Sequence, residues 1–142
     1  MVKLETLRIL THKAEEYINI TKEVHKAAES SCIKNGLVAV ITAHTTTGII
    51  VNEALPCVET DISETLDRLV PQEAPYAHAH FLPSYGATGN NSTGHIKSAM
   101  VGNNCIFPLI DGKIVCGGAQ DIYLAEFDGP QLRRVFIQTI GE

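Results

Sequence analysis

Three of the six histidines fall in one stretch, YAHAHFLPSYGATGNNSTGHIKS, from Tyr76 to Ser98. A fourth, His44, ends a run of apolar residues. Neutral imidazole binds metals and moves protons near neutral pH. His78 and His80 are two residues apart, so in extended chain they share a face and offer two nitrogens to one metal. His95 follows GNNSTG, where glycine and asparagine allow a turn and Ser92 or Thr93 can cap a helix. Unpaired N–H groups at a helix start attract anions, phosphate included, and Lys97 adds positive charge there. His44 leads into TTTGIIVNEA, whose Asn52 and Glu53 lie on a returning strand. They face opposite ways, so one of them shares the face of His44. Further on, GGAQDIYLAEF alternates Gln120, Ile122, Leu124 and Glu126 onto one face. A glutamate beside two apolar residues needs a partner, and Arg133 and Arg134 are the candidates. Glu126 is then either half of an ion pair or a base. His44, His78, His80 and His95 together could hold zinc or a similar divalent ion. Their spacing is too scattered to form a motif, so the fold must gather them.

The elements that would do so follow from periodicity. VKLETLRIL and AEEYINI read as strands. Thr21 is placed as the cap of a helix running to a stop at Gly36, with Val24, Ala27, Ala28 and Cys32 on one face. LVAVITAH reads as a central strand ending on His44, and IIVNEAL as its neighbour across a short polar connection. CVETDISETLDRLVP has helical spacing at Val58, Ile62, Leu66 and Leu69, ended by Pro71. A short helix is expected from near His95. NCIFPLI, DG and KIVCGG read as a hairpin, and QDIYLAEF and RRVFIQTIG as the last two strands. This order predicts an α+β fold, a mostly antiparallel sheet with helices on one face, in a single domain over residues 1–142.

Bulk composition narrows the function. With 142 residues, 44% hydrophobic and 19% charged, the chain suits one domain with a real core. Its net charge of −5 and lack of a basic run argue against nucleic acid as a partner. The start carries no signal-like apolar region, and no run is long enough to cross a membrane. Cys32, Cys57, Cys105 and Cys116 form no C-x-x-C pair and read as reduced thiols of a cytoplasmic protein. The apolar strands exceed what two short helices can cover, which predicts self-association.

HTTTGIIVNE, DRLVP, PYAH, GHIKSAMVG, DGKIVCGGAQDIYLAEFDGP and RRVFIQTIGE, in that order, resemble the YjbQ family, with the match spanning Leu37 to Glu142. The resemblance implies an α+β protein whose sheets pack about a three-fold axis, as a homotrimer or a hexamer. It implies a secondary thiamine-phosphate synthase activity: a hydroxymethylpyrimidine diphosphate joins a thiazole phosphate and pyrophosphate leaves. By position, His44, His95, Gln120 and Glu126 would be catalytic. Asn52, Glu53, Asn91, Lys97 and Arg133 would bind a small phosphorylated substrate. A divalent metal, zinc or magnesium, would bind at His44, His78, His80 and His95, and no organic cofactor is expected. Two departures stand out. Many members have tryptophan where this chain has Ala119, and many have a shorter connection before the last histidine. Two alternatives to the synthase are a non-catalytic metal- or ligand-binding trimer and a metal-dependent hydrolase of small phosphate compounds.

Overall fold

The computed structural model describes residues 1–80 and 91–142, the side chains of 79 and 80 excepted. Its strands are β1 (Val2–Leu10), β2 (Glu16–Asn19), β3 (Gly36–Thr42), β4 (Thr47–Asn52), β5 (Asn104–Ile110), β6 (Lys113–Ile114), β7 (Asp121–Glu126) and β8 (Leu132–Gly141). Its helices are α1 (Thr21–Ser30), α2 (Pro56–Leu69), α3 (Ala77–His80) and α4 (Ser92–Val101). The strands form two antiparallel sheets, one ordered β1-β8-β3-β5-β6 and the other β2-β7-β4. This is a single-domain α+β fold, with the expected sheet divided in two.

The division explains where the core lies. Val38, Val40, Phe107, Leu109, Val135 and Ile137 from the large sheet meet Ile49, Ile122 and Leu124 from the small one. Helix α1 adds Val24, Ala27 and Ala28 to the same cluster. Strand β7 is buried on both faces. Its Ile122 and Leu124 join this core, while Ala125, with Phe127 just beyond the strand, packs against Leu66 of α2. Layers therefore run large sheet, small sheet, then α2 and α4. All described helices lie on one side of the large sheet.

No described residue covers the other side of that sheet. Register places Leu37 opposite Ile140 and Pro108, Ala39 opposite Ile106, and Val2 opposite Ile140. Leu4, Leu37, Ile106 and Ile140 are 60%, 50%, 59% and 45% exposed in the isolated chain, too much apolar surface in one place for an ordinary monomer face. The continuous apolar run LVAVIT thus reflects one face in the core and one apolar face outside it.

Several expectations need correction. β3 and β4 are not paired neighbours: they belong to different sheets, because the chain crosses between layers over residues 43–46. The Thr42 and Thr47 hydroxyls meet at 2.5 Å and tie the two strand ends together across that crossing. Thr21 is the first residue of α1 rather than its cap. Asn19 Oδ1 accepts the Thr21 N–H at 3.0 Å, and the Thr21 hydroxyl instead accepts the Ile122 N–H of β7. α1 ends at Ser30, before Cys32 takes a positive φ of 62°, and Gly36 already opens β3. The β5–β6 hairpin turns on Asp111 and Gly112, with φ of 51° and 77° as a tight hairpin requires. AHAH is helical, not extended, so the shared face that two-residue spacing gives on a strand does not arise. All four cysteines are free, and Cys32, Cys57 and Cys116 are exposed. No described helix is long and apolar enough to cross a membrane.

Candidate functional site

Helix α4 is the element around which the histidines gather. Gly48 of β4 lets it approach, since a Cβ there would lie 2.2 Å from Val101 Cγ2. The buried Ser98 hydroxyl bonds to the Thr47 carbonyl at 2.5 Å. At the other end, a Cβ on Gly94 would come within 2.9 Å of the Phe127 carbonyl, so the helix start is seated against the segment after β7. Lys97 is only 2% exposed and pairs with Glu15 at 2.5 Å and Asp67 at 2.6 Å. Its charge pins α4 to α2 and to the segment before β2.

Asn91 precedes α4 and is of a type that favours capping, yet it makes no cap bond. Its carboxamide is engaged elsewhere. His78 Nε2 lies 2.8 Å from Asn91 Oδ1, and Asn91 Nδ2 donates to Asp128 Oδ2 at 3.0 Å. The expected cap from Ser92 or Thr93 is also not formed. Ser92 and Thr93 are the first two helical residues, and the Ser92 hydroxyl is buried with no partner among the described residues. His95 is the fourth residue of α4, its N–H bonded to the Asn91 carbonyl at 3.2 Å. The N–H groups of Ser92, Thr93 and Gly94 have no partner within the helix.

The His78 and His95 rings meet edge to face, with centroids 5.3 Å apart. Both line an open cavity of about 410 Å³ with Tyr76, Ser92 and Ile96. His95 also borders a second cavity, of about 450 Å³, lined by His44, Thr45, Ser98 and Asn103. His44 therefore joins His95 across one cavity, and His78 joins it across the other.

His44 lies in the crossing between β3 and β4, two residues past the strand end. Its Nε2 accepts the backbone N–H of Arg134 at 2.9 Å. That bond occupies the Nε2 lone pair and leaves the ring proton on Nδ1. Burial lowers its pKa below the usual histidine value, and the charges of Arg133 and Arg134 lower it further. His44 is accordingly a neutral hydrogen-bond donor.

Glu126 is fully buried and faces Arg133, itself 2% exposed. Arg133 Nε and Nη2 donate to its two oxygens at 2.8 and 2.6 Å. Thr11 Oγ1 and the Asp128 N–H supply further bonds. Burial alone would raise this carboxyl's pKa, but the hydrogen bonds and the arginine charge outweigh it and hold the group below the usual range. A further Arg133 bond, from Nη2 to Thr46 Oγ1 at 2.9 Å, ties the pair to the crossing that carries His44. Glu126 and Arg133 thus brace the site from below.

Gln120, Asn52 and Glu53 are elsewhere. Thr47 is opposite Glu126 and Asn52 opposite Asp121, so the Asn52 end of β4 lies roughly 17 Å from the His44 end. Gln120 Oε1 accepts the Gly117 N–H, and Asn52 Oδ1 accepts the Glu53 N–H. The side chain of His80 and residues 81–90 lie outside the described residues.

The described residues do not gather three donors that could hold a metal ion. His44 also spends its Nε2 lone pair on a backbone N–H, which leaves the described imidazoles a poor match to a three-ligand cation site. No chemistry is assigned to a metal here. Two further residues enter the site: Asp128, which orients Asn91, and Arg134, considered in the sequence only as a partner for Glu126 and here an exposed cation whose backbone holds His44. Their place inside the EFDGP and RRVF motifs is the signal that could have marked them.

The YjbQ-like UPF0047 family matches residues 5–142. The chain belongs to the YjbQ family. This YjbQ-family protein is 37% identical over 136 residues to a UPF0047 protein of Methanocaldococcus jannaschii, covering 95% of this chain and 92% of that one. It is 35% identical to the UPF0047 protein YugU of Bacillus subtilis, covering 97% and 99%. Among solved structures, it superposes on a YbjQ-like protein of unknown function from Sulfolobus solfataricus with a TM-score of 0.92, at 28% identity and covering 100% and 99%. A YjbQ/UPF0047 protein of Clostridium acetobutylicum matches with a TM-score of 0.86, at 35% identity and covering 96% and 99%.

Proposed function

We propose that this YjbQ-family protein is a cytoplasmic enzyme acting on a small phosphorylated compound in the two cavities that meet at His95. The reaction is the one the family resemblance implies: a hydroxymethylpyrimidine diphosphate joins a thiazole phosphate, and pyrophosphate leaves. The observation that carries this reading is the meeting of His44, His78 and His95 on adjoining cavities, each of a size that suits a small molecule. As the C–O bond to the diphosphate breaks, negative charge grows on the leaving oxygen. His44 offers a neutral Nδ1–H donor, and the charge of Arg134 lies close to it. The Ser92 hydroxyl, without a partner among the described residues, and the first-turn N–H groups of α4 are further donors. Lys97 and Arg133, each held by its own carboxylates, shape the site rather than meet the phosphate.

The protein works, in this proposal, as a trimer. The uncovered apolar face of the large sheet carries Leu4, Leu37, Ile106 and Ile140, and a second copy would remove that surface from water. One observation favours a second reading, in which the trimer binds a ligand without turnover: Glu126, the carboxylate that the resemblance places in the site, has its oxygens engaged inside the protein.

A synthase assay with both phosphorylated substrates tests the proposal. Turnover is expected in the wild type, with a loss of about 10²-fold or more in His95→Ala. Full activity in His95→Ala would overturn the assignment. Calorimetric binding of the pyrimidine diphosphate with no turnover would establish the second reading instead.

A further inference from the structure

The hydrogen bonds around His78 fix more than its position. The Asp128 carboxylate can only accept, so the group facing it must be the Asn91 NH₂, and Asn91 Nδ2 does lie 3.0 Å from Asp128 Oδ2. That sets the amide's orientation and leaves its Oδ1 toward His78. Oδ1 can only accept as well, so His78 Nε2, 2.8 Å away, must carry the proton. His78 Nδ1 is then the nitrogen that keeps its lone pair, with no partner among the described residues. At His44 the sense is reversed: a backbone N–H donates to Nε2, and the proton resides on Nδ1.

We infer that Asp128 is a positioning residue. Acting through Asn91, it holds neutral His78 in the Nε2–H tautomer, so that the paired cavities present one fixed acceptor, His78 Nδ1, and one fixed donor, His44 Nδ1–H. This deepens the proposed function and rests on it for the claim that His78 meets the substrate. A substrate with a proton to give would be read at His78, and one with a developing negative oxygen at His44. The two ends of the site are not interchangeable although both are imidazoles. Asn91 is correspondingly an intermediary whose amide is committed inside the protein.

The test is the tautomeric state of His78, read from long-range proton–nitrogen NMR of the full chain above pH 7.5, with His78→Gln identifying the signal. The wild type is expected to show the Nε2–H form. In Asp128→Asn the side chain facing the Asn91 amide can donate as well as accept, so the amide is no longer held in one sense and can turn over, and the tautomer ratio is expected to move toward Nδ1–H by about fivefold or more. The double swap Asn91→Asp with Asp128→Asn sets an acceptor-only carboxylate against His78 Nε2 and lets the amide at position 128 donate to it, so it is expected to return His78 to Nε2–H. Packing alone would not produce that reversal. An Nδ1–H form in the wild type, or an unchanged ratio in folded Asp128→Asn, would overturn the inference. Should Asp128→Asn fail to fold, the wild type and the double swap decide. No substrate is used, so this result is separate from the outcome of the synthase assay.

Discussion

At the scale of single residues, the chemistry of the site is set by what each side chain is already bonded to. Glu126 has a depressed folded-state pKa, so its contribution to stability is full above the ordinary glutamate value of about 4.3 and is lost as pH falls through the lower folded value. Glu126→Gln removes the charge and strands buried Arg133. It is expected to cost about 3–5 kcal/mol in urea unfolding at pH 7 and to flatten the acid limb of stability against pH. His44 shifts the same way for a different reason. Burial and two arginines disfavour its proton, so the unfolded chain binds more protons between the folded value and about 6.5, and stability rises with pH across that window. NMR titration is expected to place His44 below about 6.5, and Arg134→Ala to move it upward; a wild-type value above 6.5 would contradict the geometry. The histidines were legible in the sequence because their type announces their chemistry. Asp128 was not, because its role exists only through Asn91, 37 positions away.

Elements decide which of these residues can meet. α4 is the carrier, and Lys97 is its clamp to α2 and to Glu15. Burial disfavours the lysine charge, but the two carboxylates more than offset this and raise its pKa. Asp67 is 59% exposed, so solvent screens part of the interaction. Lys97→Ala is expected to cost about 1–3 kcal/mol in thermal or urea unfolding. It is also expected to weaken ligand binding by loosening α4, although Lys97 does not line either cavity. Local patterns found the hairpin at Asp111–Gly112 and the helical spacing of α2, because turn chemistry and periodicity are short-range signals. They misplaced AHAH and the β3–β4 pairing. Four residues of H-x-H carry too little periodicity to separate strand from helix. Pairing between successive strands is likewise a tertiary choice.

For the whole molecule, the open face of the large sheet is the dominant feature. Ile106 is 59% exposed on β5, and Ala39 opposite it continues the apolar patch. Wild-type protein is expected to run as an assembly in light scattering. Ile106→Asp is expected to shift it toward the 15.4 kDa single chain while leaving the core between the two sheets intact. A wild type that is monomeric at micromolar concentration would rule out the proposed trimer. The same patch explains why β3 read as a continuous apolar run and a central strand. A strand with one face in the core and one on an apolar surface has no polar alternation to report.

The sequence by itself determined the family, the α+β class, most of the regular elements and the histidines as the residues to watch, because residue type, periodicity and long ordered motifs are all local information. Only the tertiary structure decided the rest. It split the strands between two sheets, set Asn52, Glu53 and Gln120 at the far end of the small sheet, and turned Glu126 and Lys97 inward to their ion-pair partners. It also gave one ring nitrogen of His44 and one of His78 a protein partner. Those outcomes depend on hydrogen bonds and charges between residues far apart in the chain, and no local pattern carries that information.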